Sequence, residues 1–521
     1  MRLADYFDAA AAQYSGQTAF IDGDTRLTFR QAQQFVHATA HALCADPELP
    51  PGAHVAIYAP NDHRVSLLQI AANRAGMVWV SVHTRNTVET NIDVLVYADC
   101  DFVFFHSRYA DAVPQMQAAL PRVRRFVCID APSAHGPCLA DWIAPHDMPF
   151  VAPFVAPDED AGLPTMLQPT GGTTGPSKGA VHTNRSLEMA LISVFETLKM
   201  DADSRVLAVA PLTHAACMIT LGCAVRGGRT VVQDGFDAEA VLAAIEREGI
   251  THLFLPPTLV YALLSHPAID TTRVDSLRCV AVGAAPIAPE RVKEAVRKLG
   301  PVIHEVYGQS ECLFPVVAKV PSDYIRPDGT LDEPVLRSAG RAVPFAWVEV
   351  MDDDGNIVGP GVPGEIVVRS AMQMRGYYRM PEATAEVNAR GWHHTTDVGV
   401  KDERGYTTIV DRKKDMIVSG GFNVFPSEIE AIILSHPAVL DCAVVGVPDD
   451  KWGEAVKAVV QLQAGRSVTG DELADLCKAA LGSVKTPKSF EFWQDLPRSA
   501  VGKVLKREIR ARYWEGQWRA V

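Results

Sequence analysis

The residues most able to do chemistry together are those of Thr170-Gly-Gly-Thr-Thr-Gly-Pro-Ser-Lys-Gly179. Glycines let the backbone approach a phosphate and turn N–H groups toward it, threonine hydroxyls add donors, and lysine adds charge. The order Lys178-Gly179 is not the Gly-Lys-Ser/Thr of a Walker loop, so phosphate binding is expected from a different construction. A second run, Gly359-Pro-Gly-Val-Pro-Gly364, satisfies G-x-G-x-x-G but leads into the strand-like Glu365–Arg369. With no helix N-terminus there to receive a pyrophosphate, it is a turn between strands and not a dinucleotide site.

The elements around these residues alternate. Strand-like runs at 54–59, 102–105, 205–210, 251–256 and 278–283 are separated by helical patterns such as 237–248 and 290–299. This pattern predicts an α/β architecture with parallel-rich sheets. Thr28 and Gln31 have the spacing of a capping box at a helix start. The apolar stretch 206–225 is interrupted by Pro211, Thr213 and His214, which predicts a buried strand then a helix, not a membrane span. A Pro/Ala-rich interval at 131–164 is expected to be a surface excursion between two lobes, and short strands and turns from about 335 predict a small β-rich subdomain. A compact unit follows residues 411–415, with a helix at 427–435 and a strand at 442–447.

At 521 residues the chain needs more than one domain. Its 48% hydrophobic and 21% charged residues are those of a globular protein. A net charge of −13 excludes a general nucleic-acid binder, although the segment from Arg498 onward is locally basic. The ten cysteines show no C-x-x-C spacing, which points to reduced thiols and a cytoplasmic location. Asp5 and Asp8 interrupt the place of a signal peptide.

The 170–179 loop resembles the signature of the superfamily of acyl-CoA synthetases, peptide-synthetase adenylation domains and luciferases. Further motifs of that superfamily appear in order: Pro211–His214, Gly283–Pro286, Tyr307–Glu311, Arg375–Thr384, Gly391–Asp397, Asp411–Asp415, Ser419–Asn423 with Pro426–Glu430, and Pro497–Lys503. The resemblance covers nearly the whole chain. It implies a large N-terminal domain, residues 1–411, with parallel-rich sheets and the β-rich subdomain. A small mobile C-terminal α+β domain, residues 412–521, would turn on a hinge at 411–415 that includes Lys414.

The activity implied is ATP-dependent conversion of a carboxylic acid to its acyl-AMP, then transfer to coenzyme A, with Mg²⁺ and no nucleic acid as partner. The alternatives are loading of a carrier-protein thiol and non-catalytic adenylate binding; a homodimer is left open. By resemblance, Thr170, Gly171, Gly172, Thr173, Thr174, Gly175 and Lys178 hold phosphates. Gly283, Ala284, Ala285, Pro286, Glu305 and Tyr307 surround the adenine, with Tyr307 stacked on it. Ser310 stands near the α-phosphate, Glu311 is the Mg²⁺ carboxylate, Asp397 accepts the ribose hydroxyls and Arg412 assists. Lys503 supplies a cation to a transition state in which charge builds on phosphate oxygens. Ser419, Gly420 and Gly421 would line a pantetheine tunnel and Trp452 would meet the CoA nucleotide, though that indole is equally at home in a core or on a surface.

His214 has two readings, a residue at the acyl entrance or a satisfied core histidine. His182, His304, His393 and His394 have no metal-ligand spacing and receive no catalytic role. The acyl pocket is expected between residues 214–218, 281–285 and 306–313, whose small and apolar side chains suit a fatty or aryl acid. Two departures stand out: Ser177 replaces the usual proline, and Thr396 the usual glycine before Asp397.

Overall fold

Successive side chains on a strand face opposite ways, so a strand apolar at every position must be covered on both sides. Val55 and Ile57 join one core while Ala56 and Tyr58 join another. Val206 and Ala208 likewise share the core of Val55, whereas Leu207 faces a third. A computed structural model, which describes residues 1–148, 160–170, 178–413, 415–419, 422–449, 452–498 and 504–515, shows what covers them.

One sheet has seven strands, in the order 376–377, 179–183, 164–169, 78–81, 54–58, 102–105 and 125–128. The last five of these run parallel. A second sheet has nine strands, in the order 341–342, 317–319, 303–307, 279–282, 252–255, 205–208, 229–232, 18–22 and 25–28. It is parallel from 303–307 through 18–22 and antiparallel at both edges. The inner faces of both sheets share a single core with helices Leu3–Gln13, Phe29–Ala45, His63–Arg74, Asn184–Thr197 and Ala216–Val225. Ala216 through Ala224 are all buried, as a helix apolar all round its axis requires. The 206–225 stretch is thus strand Arg205–Ala208 and helix Ala216–Val225. The Thr28–Gln31 capping box forms, with Gln31 N–H donating to Thr28 Oγ1 at 3.3 Å and Thr28 N–H to Gln31 Oε1 at 2.9 Å.

The 131–164 interval differs from a plain surface excursion. It contains helix Leu139–Ile143, whose Trp142 ring lies 5.4 Å from Phe102 and 6.0 Å from Phe104. An indole beside two core phenylalanines buries apolar area, which holds that part of the interval down; residues 149–159 lie outside the described residues.

From 346 onward, strands Ala346–Met351, Gly364–Ser370, His393–Lys401 and Thr407–Arg412 form an antiparallel sheet. The G-x-G-x-x-G run leads into the second of them. The small C-terminal domain is built on the long hairpin Val439–Asp449 and Gly453–Leu462. Helices Pro426–Leu434 and Gly470–Lys485 cover one face of it, and Lys506–Trp514 covers the other. The molecule is therefore a mixed α/β protein with a large N-terminal domain of parallel-rich sheets and a small C-terminal domain. Among the described residues, no helix is long and apolar enough to cross a membrane.

Candidate active site

Parallel sheets gather ligands beyond the carboxyl ends of their strands. Tyr307 ends strand Ile303–Tyr307, and its hydroxyl donates to Asp397 Oδ2 at 2.6 Å. Gln309 Nε2 donates to the same oxygen at 2.8 Å and to the Thr395 carbonyl at 2.9 Å. Arg412, the cross-strand partner of Asp397, brings Nε to 3.3 Å from Oδ1. Asp397 is thus a buried carboxylate ringed by donors, the one environment in which such a charge is tolerable. Burial, then the Asp397 charge, pushes the Tyr307 phenol well above its usual pKa, so it remains a donor. His393 Nε2 lies 3.3 Å from Gln309 Oε1, and burial lowers its pKa to about 4. A neutral imidazole therefore donates to the Gln309 oxygen and orients the amide toward Asp397.

A second cluster stands at Lys178, at one end of the Gly/Thr-rich segment 170–179. Thr170 N–H donates to the Lys178 carbonyl at 2.7 Å, tying the ends of the loop; Gly171, Gly172, Thr173, Thr174, Gly175 and Ser177 lie outside the described residues. Lys178 Nζ stands 4.9 Å from the centroid of the Tyr377 ring, a cation–π distance. The Tyr377 hydroxyl donates to Glu311 Oε1 at 2.8 Å. Burial first, and then Glu311, raises the Tyr377 pKa, so this group also stays protonated. Ser310 accepts at its carbonyl from His182 Nε2 at 2.7 Å. One aromatic ring thus separates the lysine ammonium from the Glu311 carboxylate. A carboxylate in this position suits a hard cation that takes its remaining ligands from phosphate and water.

The Gly283–Pro286 turn follows strand Cys279–Val282. A Cβ on Gly283 would stand 3.0 Å from the Val306 carbonyl oxygen and 3.3 Å from Phe254, so the wall packs tightly behind. Ala284 adopts φ +69°, and Ala284, Ala285 and Pro286 are exposed. Phe254 and Phe314 stack at 5.8 Å, and Val306 and Leu313 are buried nearby. His214 is half-buried, with Nδ1 3.2 Å from Gln168 Nε2 and its ring 6.0 Å from that of His83. Since Gln168 Oε1 accepts from Ser81 Oγ at 2.8 Å, its Nε2 is the donor and His214 Nδ1 the acceptor. Polar partners, not an apolar core alone, hold His214.

The structure does not bring every expected residue to these clusters. Glu305, two residues before Tyr307 on the same strand, forms an ion pair at 2.5 Å with the fully buried Lys319 of the neighbouring antiparallel strand. Ser419 pairs with Gly453, and the Trp452 N–H donates to Asp449; these bonds stay within the small domain. Lys503, Gly420, Gly421 and Lys414, the residue expected at the hinge, lie outside the described residues. Thr396 is exposed and takes φ +60°, a glycine-like angle in a β-branched residue. Gln309, Tyr377, His182, His393 and Gln168 received no role from the sequence. Gln309, Tyr377 and His393 lie inside the Tyr307–Glu311, Arg375–Thr384 and Gly391–Asp397 motifs, which is the available signal; His182 and Gln168 touch the site only through long-range folding.

Residues 7–378 match the family described as AMP-binding enzyme, and residues 428–503 match the AMP-binding enzyme C-terminal domain. A medium/long-chain-fatty-acid–CoA ligase of Mycobacterium tuberculosis is 39% identical over 98% of this chain and 90% of its own length. A feruloyl-CoA synthase of an Amycolatopsis species is 34% identical over 95% of this chain and 96% of its own. Among solved structures, an amide bond synthetase of Marinactinospora thermotolerans superposes with TM-score 0.88 at 29% identity, covering 98% of this chain and 100% of its own. ATP-bound MatB of Rhodopseudomonas palustris does so with TM-score 0.87 at 26% identity, covering 100% of each chain. With a buried carboxylate ringed by donors, a lysine beside a metal-compatible carboxylate and matches spanning both domains, the chain belongs to the AMP-binding enzyme family, as an AMP-forming acyl-CoA synthetase of the adenylate-forming superfamily.

Proposed function

We propose that this enzyme activates a hydrophobic carboxylic acid, fatty or aryl, at the cleft between Tyr307, Asp397, Lys178 and Glu311. The observation that carries this is the pair of clusters themselves: an acceptor site built for hydroxyls at Asp397, and a cation-carboxylate pair for phosphates at Lys178 and Glu311. The apolar wall of Val306, Leu313, Phe254 and Phe314 supports a hydrophobic acyl group, as do the fatty-acid and feruloyl ligases among the relatives.

In the first step a carboxylate oxygen of the acid attacks the α-phosphorus of ATP, and the bond to pyrophosphate breaks. Asp397 and Arg412 hold the ribose, Tyr307 lies against the adenine and Lys178 meets the phosphates. A Mg²⁺ ion held by Glu311 would neutralise phosphate charge. Lys503 adds a cation to the charge that builds in the transition state, where it lowers the barrier more than it stabilises the ground state. In the second step the CoA sulfur attacks the acyl carbonyl and AMP leaves. A thiol with a pKa of about 8.5 is mostly protonated at neutral pH, so holding it close to the acyl carbonyl supplies much of the rate. The small domain turns near Lys414 between the steps, taking Lys503 out and bringing the Ser419 segment in. A cytoplasmic location accords with the ten unpaired cysteines.

The test is AMP and pyrophosphate release over a panel of fatty and aromatic acids, with and without CoA. Acid-dependent pyrophosphate release together with CoA-dependent AMP turnover is expected. Acyl-AMP formation without turnover on CoA would move the acceptor to a carrier thiol, and no signal with any acid would end the ligase reading.

A further inference from the structure

Strand Gly179–Thr183 leaves the phosphate loop directly, and two independent connections run from it to Glu311. The first is backbone pairing: Gly376 and Tyr377 pair antiparallel with Val181 and Ala180, and Tyr377 then donates to Glu311 Oε1. The second is His182. Its side chain is completely buried and spans from Ser186 Oγ, 3.2 Å from Nδ1, to the Ser310 carbonyl, 2.7 Å from Nε2. A carbonyl can only accept, so Nε2 carries the hydrogen. Burial lowers the pKa of His182 to about 4, which keeps the ring neutral and its hydrogen on one nitrogen at physiological pH. Ser310 lies beyond a strand of the nine-stranded sheet and His182 lies within the seven-stranded one, so this imidazole bolts the two sheets together one residue from Glu311.

We propose that His182 is a positioning residue for the metal and phosphate end of the site: by clamping the Ser310 carbonyl it sets where the Ser310–Glu311 peptide stands relative to Lys178. The proposal rests on the reading of Glu311 given above. A rigid ring with fixed partners at both ends transmits the strand's position to the carboxylate, which a solvent-filled gap would not. Without the donor, the carbonyl of the half-buried Ser310 loses this partner and the Ser310–Glu311 turn relaxes to find another. The acyl wall around His214 and Phe314 has no contact with His182 among the described hydrogen bonds, so binding of the acid should be spared.

The experiment compares H182F, which keeps a ring without the donor, with H182Q, whose amide reaches the Nε2 position, in the full-length enzyme. Saturation by Mg·ATP, saturation by the acid and half-saturation by Mg²⁺ are measured beside thermal melts. H182F is expected to raise the Mg·ATP and Mg²⁺ half-saturation points about tenfold, leave the KM for the acid within about twofold, and be largely rescued in H182Q. If H182F does not fold, H182N serves, because its shorter amide keeps the Ser186 end and loses Ser310; the same split is expected. A folded H182F or H182N with wild-type Mg·ATP saturation overturns the proposal, as does an equal rise in both KM values or an H182Q as impaired as H182F. Failure of the wild-type enzyme to release pyrophosphate with any acid is the separate result that would remove the underlying reading of the site.

Discussion

Tyr307 and Asp397 are joined by a 2.6 Å hydrogen bond between the end of a parallel strand in the nine-stranded sheet and a strand of the antiparallel subdomain. The bond fixes the tyrosine ring and the carboxylate as one unit, with Gln309 donating to the same oxygen. Y307F keeps the ring and removes one of several donors, so kcat/KM for ATP should fall about tenfold. D397N removes the charge as well and should cost about a hundredfold or more. Acid-dependent AMP formation at varied ATP checks both, and an unaltered Y307F would show that the hydroxyl has no part in holding the nucleotide.

Thr396 is held in the left-handed region at φ +60° by its neighbours, with Glu365 accepting from its N–H at 2.9 Å and its carbonyl accepting from Lys413 N–H at 2.8 Å. A non-glycine residue there costs roughly 1–2 kcal/mol, and glycine returns roughly 0.5–1 kcal/mol through the greater freedom of its unfolded chain. T396G should therefore stabilise the fold by about 0.5–1 kcal/mol. A urea midpoint equal to or below that of the wild type would contradict the strain.

Much of the architecture was legible in the sequence because both faces of the parallel strands are buried, which writes them as unbroken apolar runs such as Phe102–Phe105. Helix Ala238–Glu248 was equally plain, with Asp237 capping it. Trp142 was not, because nothing local says that its indole reaches Phe102 and Phe104. In the site, Tyr307 and Asp397 stand in recognisable motifs, but the bond joining them spans 90 residues and no spacing encodes it. The roles of His182 and His393 are hidden for the same reason: their partners Ser310 and Gln309 are distant in the chain. Glu305 shares the strand face of Tyr307, and its ion pair with the opposite Lys319 is a cross-strand contact that no local spacing encodes.

His252 offers a pH signature away from the site, bonded to Thr251 Oγ1 at 2.7 Å and the Leu198 carbonyl at 2.9 Å. Burial lowers its pKa from 6.5 to about 4. Between those values the unfolded chain binds the proton and the folded one does not, so stability is retained above pH 6.5 and declines as pH falls toward 4. Asp411, whose burial raises its pKa, works in the opposite sense, so the informative quantity is the wild type minus H252Q. Urea midpoints at about pH 7.5 and 5 should fall more in the wild type than in H252Q; parallel losses would count against a neutral buried ring.

Lys506 pairs with Glu430 at 2.8 Å in the small domain, and Glu430 also accepts from Val444 N–H at 2.7 Å. Removing one partner strands the other charge, but the Lys506 side chain keeps 22% of its surface, so the cost should fall short of that for a fully buried pair. E430A is expected to lose about 2 kcal/mol and E430L/K506M to recover most of it. Additive losses in the double variant, read from the unfolding of the small domain, would rule out the coupling. Because Lys506 lies three positions after Lys503, E430A should also depress pyrophosphate release more than CoA-dependent turnover of a supplied acyl-AMP.

The five helices sandwiched between the two large sheets belong to neither one alone. Spreading the sheets would tear open their common interior, so they form a fixed jaw whose gap is set at folding. On the proposed turn of the small domain, which has cores of its own, entry of ATP, escape of pyrophosphate and arrival of the thiol would all be timed by that other jaw. Such a division would let one half of the molecule be as rigid as stability demands while the other carries the travel.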